Sequence, residues 1–282
     1  MDRSSVSPGA FDPDVIATFL RFFGPITRAM WPASFHGFET LPKHDRFIVV
    51  ANHSGMGMAE LWALIVGWHE RGGGRRIAPM AHPGAFKVPP ISYFLRGLGA
   101  VEATRDGAAA ARAAGAPLLL FPGGDREAIR PLWEAYRVDF AGRKGWIRLA
   151  REHGLAVVPM CITGSHVTLP IVGGGRAASW LLGTRLLGVH RAPVTVLSLA
   201  AAAASLGLAR ALGARWWVGA LAAWTSMGLG MAVPWVPSKI GFHVLPAIPA
   251  EALGDDDRTA DAVYTQVVDA LQATLSASRS AR

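Results

Sequence analysis

Asn52-His53-Ser54-Gly55 follows an apolar run at 47–51, and Glu60 stands seven residues after His53. A neutral imidazole titrates near neutral pH and can take a proton from a hydroxyl group. Gly55 and Gly57 leave room beside it for a substrate, and the Glu60 carboxylate can fold back to orient the ring. Base-assisted transfer to an alcohol is the chemistry these parts suit. A second segment, Pro122-Gly123-Gly124-Asp125-Arg126-Glu127, pairs a flexible turn with charge. Consecutive backbone N–H groups at Gly123-Gly124 can form an anion nest, and a guanidinium such as Arg126 pairs with phosphate through two parallel hydrogen bonds. Glu127 is either a partner for Arg126 or the first-turn acid of a following helix. A histidine taken alone is more often structural than catalytic, so the surrounding elements must carry the assignment.

Those elements alternate. Residues 47–51 read as a buried strand that delivers His53 to the loop at its end, and helical periodicity runs from 58 to 68. Gly72-Gly73-Gly74-Arg75-Arg76 reads as a turn, 77–81 as a second strand and 97–103 as a short extended piece. An alanine-rich helix follows at 107–114, then a strand at 118–121 that runs into the Pro122-Gly123-Gly124 turn. A helix at 145–153 and strands at 156–162 and 239–244 complete the alternation. The pattern predicts an α/β fold, with a mixed, largely parallel sheet flanked by helices and chemistry on loops at the strand ends.

Two regions depart from the alternation. Residues 15–31 place apolar side chains at helical spacing, broken at Gly24-Pro25, as an amphipathic helix lying on a bilayer or packed on the core would. Residues 192–209 and 216–236 are apolar stretches separated by Arg210 and Arg215, each near the ~20 residues that cross a hydrocarbon core. The strand at 239–244 requires the chain to return, so these stretches predict a helical hairpin that is spanning, re-entrant or buried. The expected organisation is a membrane-contacting segment at 1–34 and a main domain at 35–282, with a hydrophobic insertion at about 190–237.

Composition narrows the partners. The 282 residues carry a net charge of +8, which favours an anionic partner. Ten tryptophans and a mean hydropathy of +0.29 favour a membrane surface over nucleic acid. Cys161 is the only cysteine, so the sequence predicts no disulfide framework and a reducing compartment. Met1-Asp2-Arg3, followed by Asp12 and Asp14, does not read as a secretory leader. No Gly-x-Ser-x-Gly elbow and no Gly-Lys-Ser/Thr phosphate loop occurs, which argues against serine hydrolases and P-loop nucleotide hydrolases. Ser54 adjoins His53 too closely to be activated by it, and His53 with Glu60 falls short of a metal ligand set. Arg143-Lys144 reads as a solvated pair, with a donor's phosphates or a membrane as the alternative.

Four segments in order resemble the glycerolipid acyltransferases, the family of bacterial 1-acylglycerol-3-phosphate acyltransferases and the diacylglycerol-acyltransferase-like proteins. Val50-Ala51-Asn52-His53-Ser54, preceded by Phe35-His36-Gly37-Phe38-Glu39-Thr40-Leu41-Pro42, is similar to the first motif. Gly99 to Arg105 resembles the second, Phe121 to Glu127 the third in its Pro-Gly-Gly form, and Val157-Val158-Pro159 the fourth. The resemblance implies a membrane-associated O-acyltransferase that uses acyl-CoA or an acyl-carrier protein as co-substrate, with no metal and no prosthetic group. His53 would be the base, and Asn52, Ser54, Arg105, Gly123, Gly124, Arg126 and Glu127 would contact substrate, the arginines through its phosphate or polar head. The expected partners are membrane lipids and the thioester donor, not nucleic acid, with the site on the cytoplasmic side. Where the family places an aspartate five residues after the histidine, this chain has Met58. Either Glu60 takes the orienting role through a differently shaped loop, or the chain binds lipid without turning it over.

Overall fold

In the computed structural model the described residues are 12–71 and 75–280. The first part of the expected membrane-contacting segment, with the Met1-Asp2-Arg3 start, and the Gly72-Gly73-Gly74 turn lie outside them. Among the described residues nine strands are β1 (Ala33–His36), β2 (Phe47–Ala51), β3 (Ala78–Ala81), β4 (Val101–Glu102), β5 (Leu118–Leu120), β6 (Ala156–Thr163), β7 (Ile171–Gly175), β8 (Ala192–Thr195) and β9 (Ile240–Val244). Seven of them form one sheet in the order β1-β9-β6-β2-β5-β3-β4, and β7 pairs with β8 separately. Within the large sheet only the β6–β9 pairing is antiparallel. The mixed, largely parallel α/β sheet read from the sequence is therefore the fold.

Both sheet faces are covered, which is why the central strands are apolar throughout rather than alternating. Along β2, Ile48 and Val50 face a core shared with helices Arg105–Ala113, Gly145–His153 and Asp257–Ser280. Phe47, Val49 and Ala51 face the other core, built on helix Met58–Arg71 and Trp31. All five are at most 1% exposed. The final helix presents Val263, Val267 and Leu271 to the first core at helical spacing, as its amphipathic sequence requires.

Some elements differ from the sequence reading. The extended piece at 97–103 shrinks to the two residues of β4, because Gly97 closes a helix, Pro89–Gly97. That helix begins with Pro89 and Pro90, which suit the first helical turn. Strands β1 and β8 are four residues long and β7 ends in three glycines, so none shows the apolar run or alternation of a strand.

The apolar insertion is a hairpin of helices Val196–Ala211 and Trp216–Gly230. Sixteen and fifteen residues rise only about 24 and 22 Å, short of the ~30 Å hydrocarbon thickness. Among the described residues no helix is long and apolar enough to cross a membrane, which corrects the spanning form of the hairpin. Nor is the hairpin buried: Leu208, Trp216 and Leu229 are 62, 83 and 71% exposed. Its base is held by Thr195 Oγ1 donating to Gly230 O (3.0 Å) and Trp224 Nε1 donating to Leu181 O (2.7 Å). The N-terminal periodicity resolves into helices Pro13–Phe22 and Gly24–Met30. Phe19 is buried among Trp62 and Phe94, whereas Phe22, Phe23 and Ile26 are exposed, so packing and an outward apolar face coexist.

Candidate active site

Because β2, β3, β4, β5 and β6 are mutually parallel, the loops after all five open on one edge of the sheet. That edge collects the predicted site. Beyond the last rung of β2, the Asn52 carboxamide continues the ladder against β6: Nδ2 donates to Ile162 O (2.8 Å) and Oδ1 accepts from Ile162 N (2.7 Å). Asn52 is 4% exposed and its polar atoms are engaged there. The side chain expected to touch substrate instead anchors the residue before His53.

After Ser54 the chain makes a left-handed turn in which Gly55, Met56 and Gly57 all have positive φ (54, 58 and 73°). This turn absorbs the extra residues between histidine and acid and starts helix Met58–Arg71 with Glu60 in its first turn. The Glu60 carboxylate hydrogen-bonds His53 Nδ1. A carboxylate only accepts, so the proton sits on Nδ1 and Nε2 is left as the basic nitrogen. The Glu60 side chain has no solvent exposure, whereas that of His53 is 17% exposed. The imidazole stacks on Phe121 at the end of β5 (4.6 Å between ring centres). Gly57 lies against its other atoms: a β-carbon there would stand 2.1 Å from His53 Cε1. Ser54 Oγ reaches Ser165 Oγ at 2.5 Å and Glu60 Oε2 at 3.4 Å, so it steadies the acid.

The second segment is arranged differently from its expected role. The Gly124 N–H donates to Phe121 O (3.0 Å), closing the turn, and is not an open anion donor. Arg143 donates to Pro122 O (3.1 Å) and Gly123 O (2.9 Å) and approaches Asp125 at 3.4 Å, so the cation bound to this turn is Arg143. Lys144 pairs with Asp261 on the final helix. Both side chains are partly solvated, at 49 and 40% exposure, and each is also ion-paired. Arg126 is half exposed and pairs with Asp139 (3.3 Å) rather than Glu127. Arg105 begins its helix on the same sheet edge and is exposed.

Glu127 belongs to the first turn of the short helix Asp125–Ala128, yet its side chain runs back under the turn. Oε2 accepts from His53 N (3.2 Å) and Oε1 from Asp139 N (2.8 Å). Gly123 makes this possible, since a β-carbon there would fall 2.2 Å from Glu127 Oε2. Glu127 is fully buried, and burial pushes its carboxyl up to about 7 against the opposing hydrogen bonds and Arg130. Arg130 Nη2 stands 3.6 Å away, and burial likewise lowers its pKa. Desolvation thus presses both partners toward neutrality, so this is a weak ion pair.

Ser165 completes the site without a sequence signal of its own, whereas Gly57, read as room for a substrate, packs against the imidazole, and Phe121 and Arg143 take places at the ring and the turn that their motif and charge did not indicate. Only the assembled sheet edge brings them to His53. A cleft of ≈ 170 Å³ lined by Thr27, Trp31, Phe35 and Gly67 contains none of these groups.

The Acyltransferase family model matches residues 33–163, from β1 to the end of β6. This stretch is similar to the Acyltransferase family, the class the four motifs resemble. Uncharacterised proteins of Mycobacterium leprae and Mycobacterium tuberculosis are each 28% identical over 198 residues, 68% of this chain and 52 and 53% of theirs. A Bos taurus protein described as a DGAT1/2-independent enzyme synthesizing storage lipids is 25% identical over 146 residues, 52% of this chain and 43% of its own. The chain spans about half the length of the curated relatives it matches. Among solved structures, the 1-acyl-sn-glycerophosphate acyltransferase PlsC of Thermotoga maritima shares the fold, with a TM-score of 0.52 at 16% identity over 91% of this chain and 78% of that one.

Proposed function

We propose that this chain transfers a fatty acyl group from an acyl thioester, of coenzyme A or a carrier protein, to the hydroxyl of a glycerolipid or related lipid alcohol. The observation that carries the reading is the buried Glu60 carboxylate on Nδ1 of His53 inside the stretch similar to the Acyltransferase family, with Nε2 left basic. The acceptor hydroxyl gives its proton to Nε2 as its oxygen bonds to the thioester carbonyl carbon. The carbon–sulfur bond then breaks, and the imidazolium returns the proton to the leaving thiolate. Glu60 holds the tautomer and supports the transient positive charge. No resident metal or prosthetic group takes part.

The Bos taurus relative's description supports a lipid acceptor. Exposed apolar residues on the hairpin and at Phe22, Phe23 and Ile26 support a membrane surface as the place of reaction. Met58 left a lipid binder without turnover as the alternative, and the Glu60 contact supports the enzyme reading over it. The test is acyl transfer by purified protein in detergent, with labelled acyl-CoA or acyl-carrier donors and a panel of lipid alcohols. Product with wild type and none with His53→Ala supports the reading. Absence of product from every donor and acceptor, with lipid binding retained, overturns it.

A further inference from the structure

We infer that Glu127 is a positioning residue, whose carboxylate holds the peptide N–H of His53 and so sets the imidazole between Phe121 and Glu60. The proposal rests on the reading of His53 as the base. Three segments meet at this carboxylate. The loop after β2 contributes His53 N (3.2 Å), the 129–144 connection contributes Asp139 N (2.8 Å), and Glu127 itself follows β5, next to the Phe121 ring on which the imidazole stacks. A side chain with no solvent exposure that bridges two loop amides has little freedom to move. The Gly123 space shows that the turn is built around it. Asn52, bonded at both ends to Ile162, fixes the residue before His53, and Glu127 fixes His53 itself.

The clamp depends on protonation. The ionised carboxylate accepts from both amides, whereas a protonated carboxyl keeps one good acceptor and turns a donor toward an N–H. Because burial sets this group to about 7, the clamp changes state close to neutral pH. The groups around it are His53 from the β2 loop, Cys161 on β6, and Arg130 and Asp139 from the following connection, with Asp125 and Arg126 on its own helix. Cys161 is pushed up to about 12 by burial, then by Glu127, and stays neutral over this range. Arg130 and a protonated His53 both favour the carboxylate.

The experiment follows the His53 backbone amide by proton–nitrogen correlation spectra of the ¹⁵N-labelled full chain in detergent from pH 5.5 to 8.5. The signal is assigned by its loss in His53→Asn. Wild type is expected to show a downfield step near pH 7 that disappears in Glu127→Gln. Arg130→Gln, which removes a cation favouring the carboxylate, is expected to move the step to higher pH. In parallel, Glu127→Gln is expected to lower kcat about tenfold or more with KM within about twofold, with kcat counted per folded molecule from the dispersed amide spectrum, because a lost folded fraction also lowers apparent kcat at unchanged KM. An identical amide profile in wild type and Glu127→Gln overturns the proposal, as does an unchanged kcat. If Glu127→Gln does not fold, an unmoved step in Arg130→Gln overturns it. A wild type without turnover refutes the acyl-transfer reading, while the amide titration still decides the clamp.

Discussion

Glu60 reaches Nδ1 of His53 from the first turn of a helix, across a turn of three consecutive left-handed residues. Replacing it with glutamine keeps the size but removes the charge that supports the imidazolium, and the amide can turn its NH₂ toward Nδ1 and invert the tautomer. Glu60→Gln is expected to lower kcat by about 10²- to 10⁴-fold, on the scale of other base-orienting carboxylates. Single-turnover acyl transfer measures this, and an unchanged melting temperature assigns the loss to chemistry.

Gly57→Ala tests the ring's seat. Its φ of 73° disfavours a side chain, and the new methyl group would stand 2.1 Å from His53 Cε1. The imidazole must leave Phe121 or Glu60 to admit it. Activity is expected to fall at least 100-fold, with a modest stability loss of about 1–2 kcal/mol from the left-handed backbone. Near-wild-type kcat would mean that the ring has room the packing denies.

Asn52→Ala addresses the anchor before the base. Both hydrogen bonds to Ile162 are buried, and their loss leaves a backbone N–H and C=O unpaired. The expected destabilisation is about 2–4 kcal/mol, measured by denaturant titration. Substrate KM is expected to change little, because the carboxamide faces the sheet.

Strands β2 and β6 were legible because burial on both faces makes them continuous apolar runs, and helix Met58–Arg71 because its periodicity follows directly. His53 and Glu60 could be paired on paper as one of two options. Choosing between them needed the backbone of Gly55-Met56-Gly57, since a left-handed Met56 is not encoded by residue type. The contacts of Phe121, Ser165 and Arg143 were not legible, because these residues meet His53 or its neighbouring turn only when β5, β6 and the 129–144 connection share one sheet edge. Glu127 was visible as a charge, but its partners lie 74 and 12 residues away. The resemblance assigned Arg126 to substrate, and the fold gives it an ion pair with Asp139.

Glu127 also links stability to pH. Its folded pKa is raised from 4.5 to about 7, so between those values the folded chain holds a proton that the unfolded chain has released. Its contribution to stability is therefore fully present below about pH 4.5 and is lost as pH rises through about 7. Glu127→Gln removes this dependence. Relative to wild type, the variant is expected to gain stability from pH 5 to 8 by up to about 3 kcal/mol, from ~1.4 kcal/mol per pKa unit. Urea titrations of both proteins at each pH measure the difference, and a constant offset would place the Glu127 pKa in the ordinary carboxylate range.

The hairpin is the region where lipid contact is most directly testable. Its two helices pack on each other, with Ser205 Oγ and Ser226 Oγ 3.0 Å apart, yet Leu208, Leu212, Trp216, Leu221 and Leu229 stay more than half exposed. A hairpin about 24 Å long is too short to cross a bilayer, and the indoles of Trp216 and Trp217 would suit a headgroup boundary. Changing Leu208, Trp216 and Leu221 together to serine removes apolar area on both helices while leaving the inter-helix serine contact. This variant is expected to lose at least tenfold in affinity for vesicles of mixed neutral and anionic lipid, measured by flotation. Its turnover of a short-chain, water-soluble acceptor is expected to stay within about threefold of wild type, because the His53 loop lies at the ends of β2 and β5, not on the hairpin. Unchanged flotation would transfer the membrane contact to Phe22, Phe23 and Ile26 on the N-terminal helices.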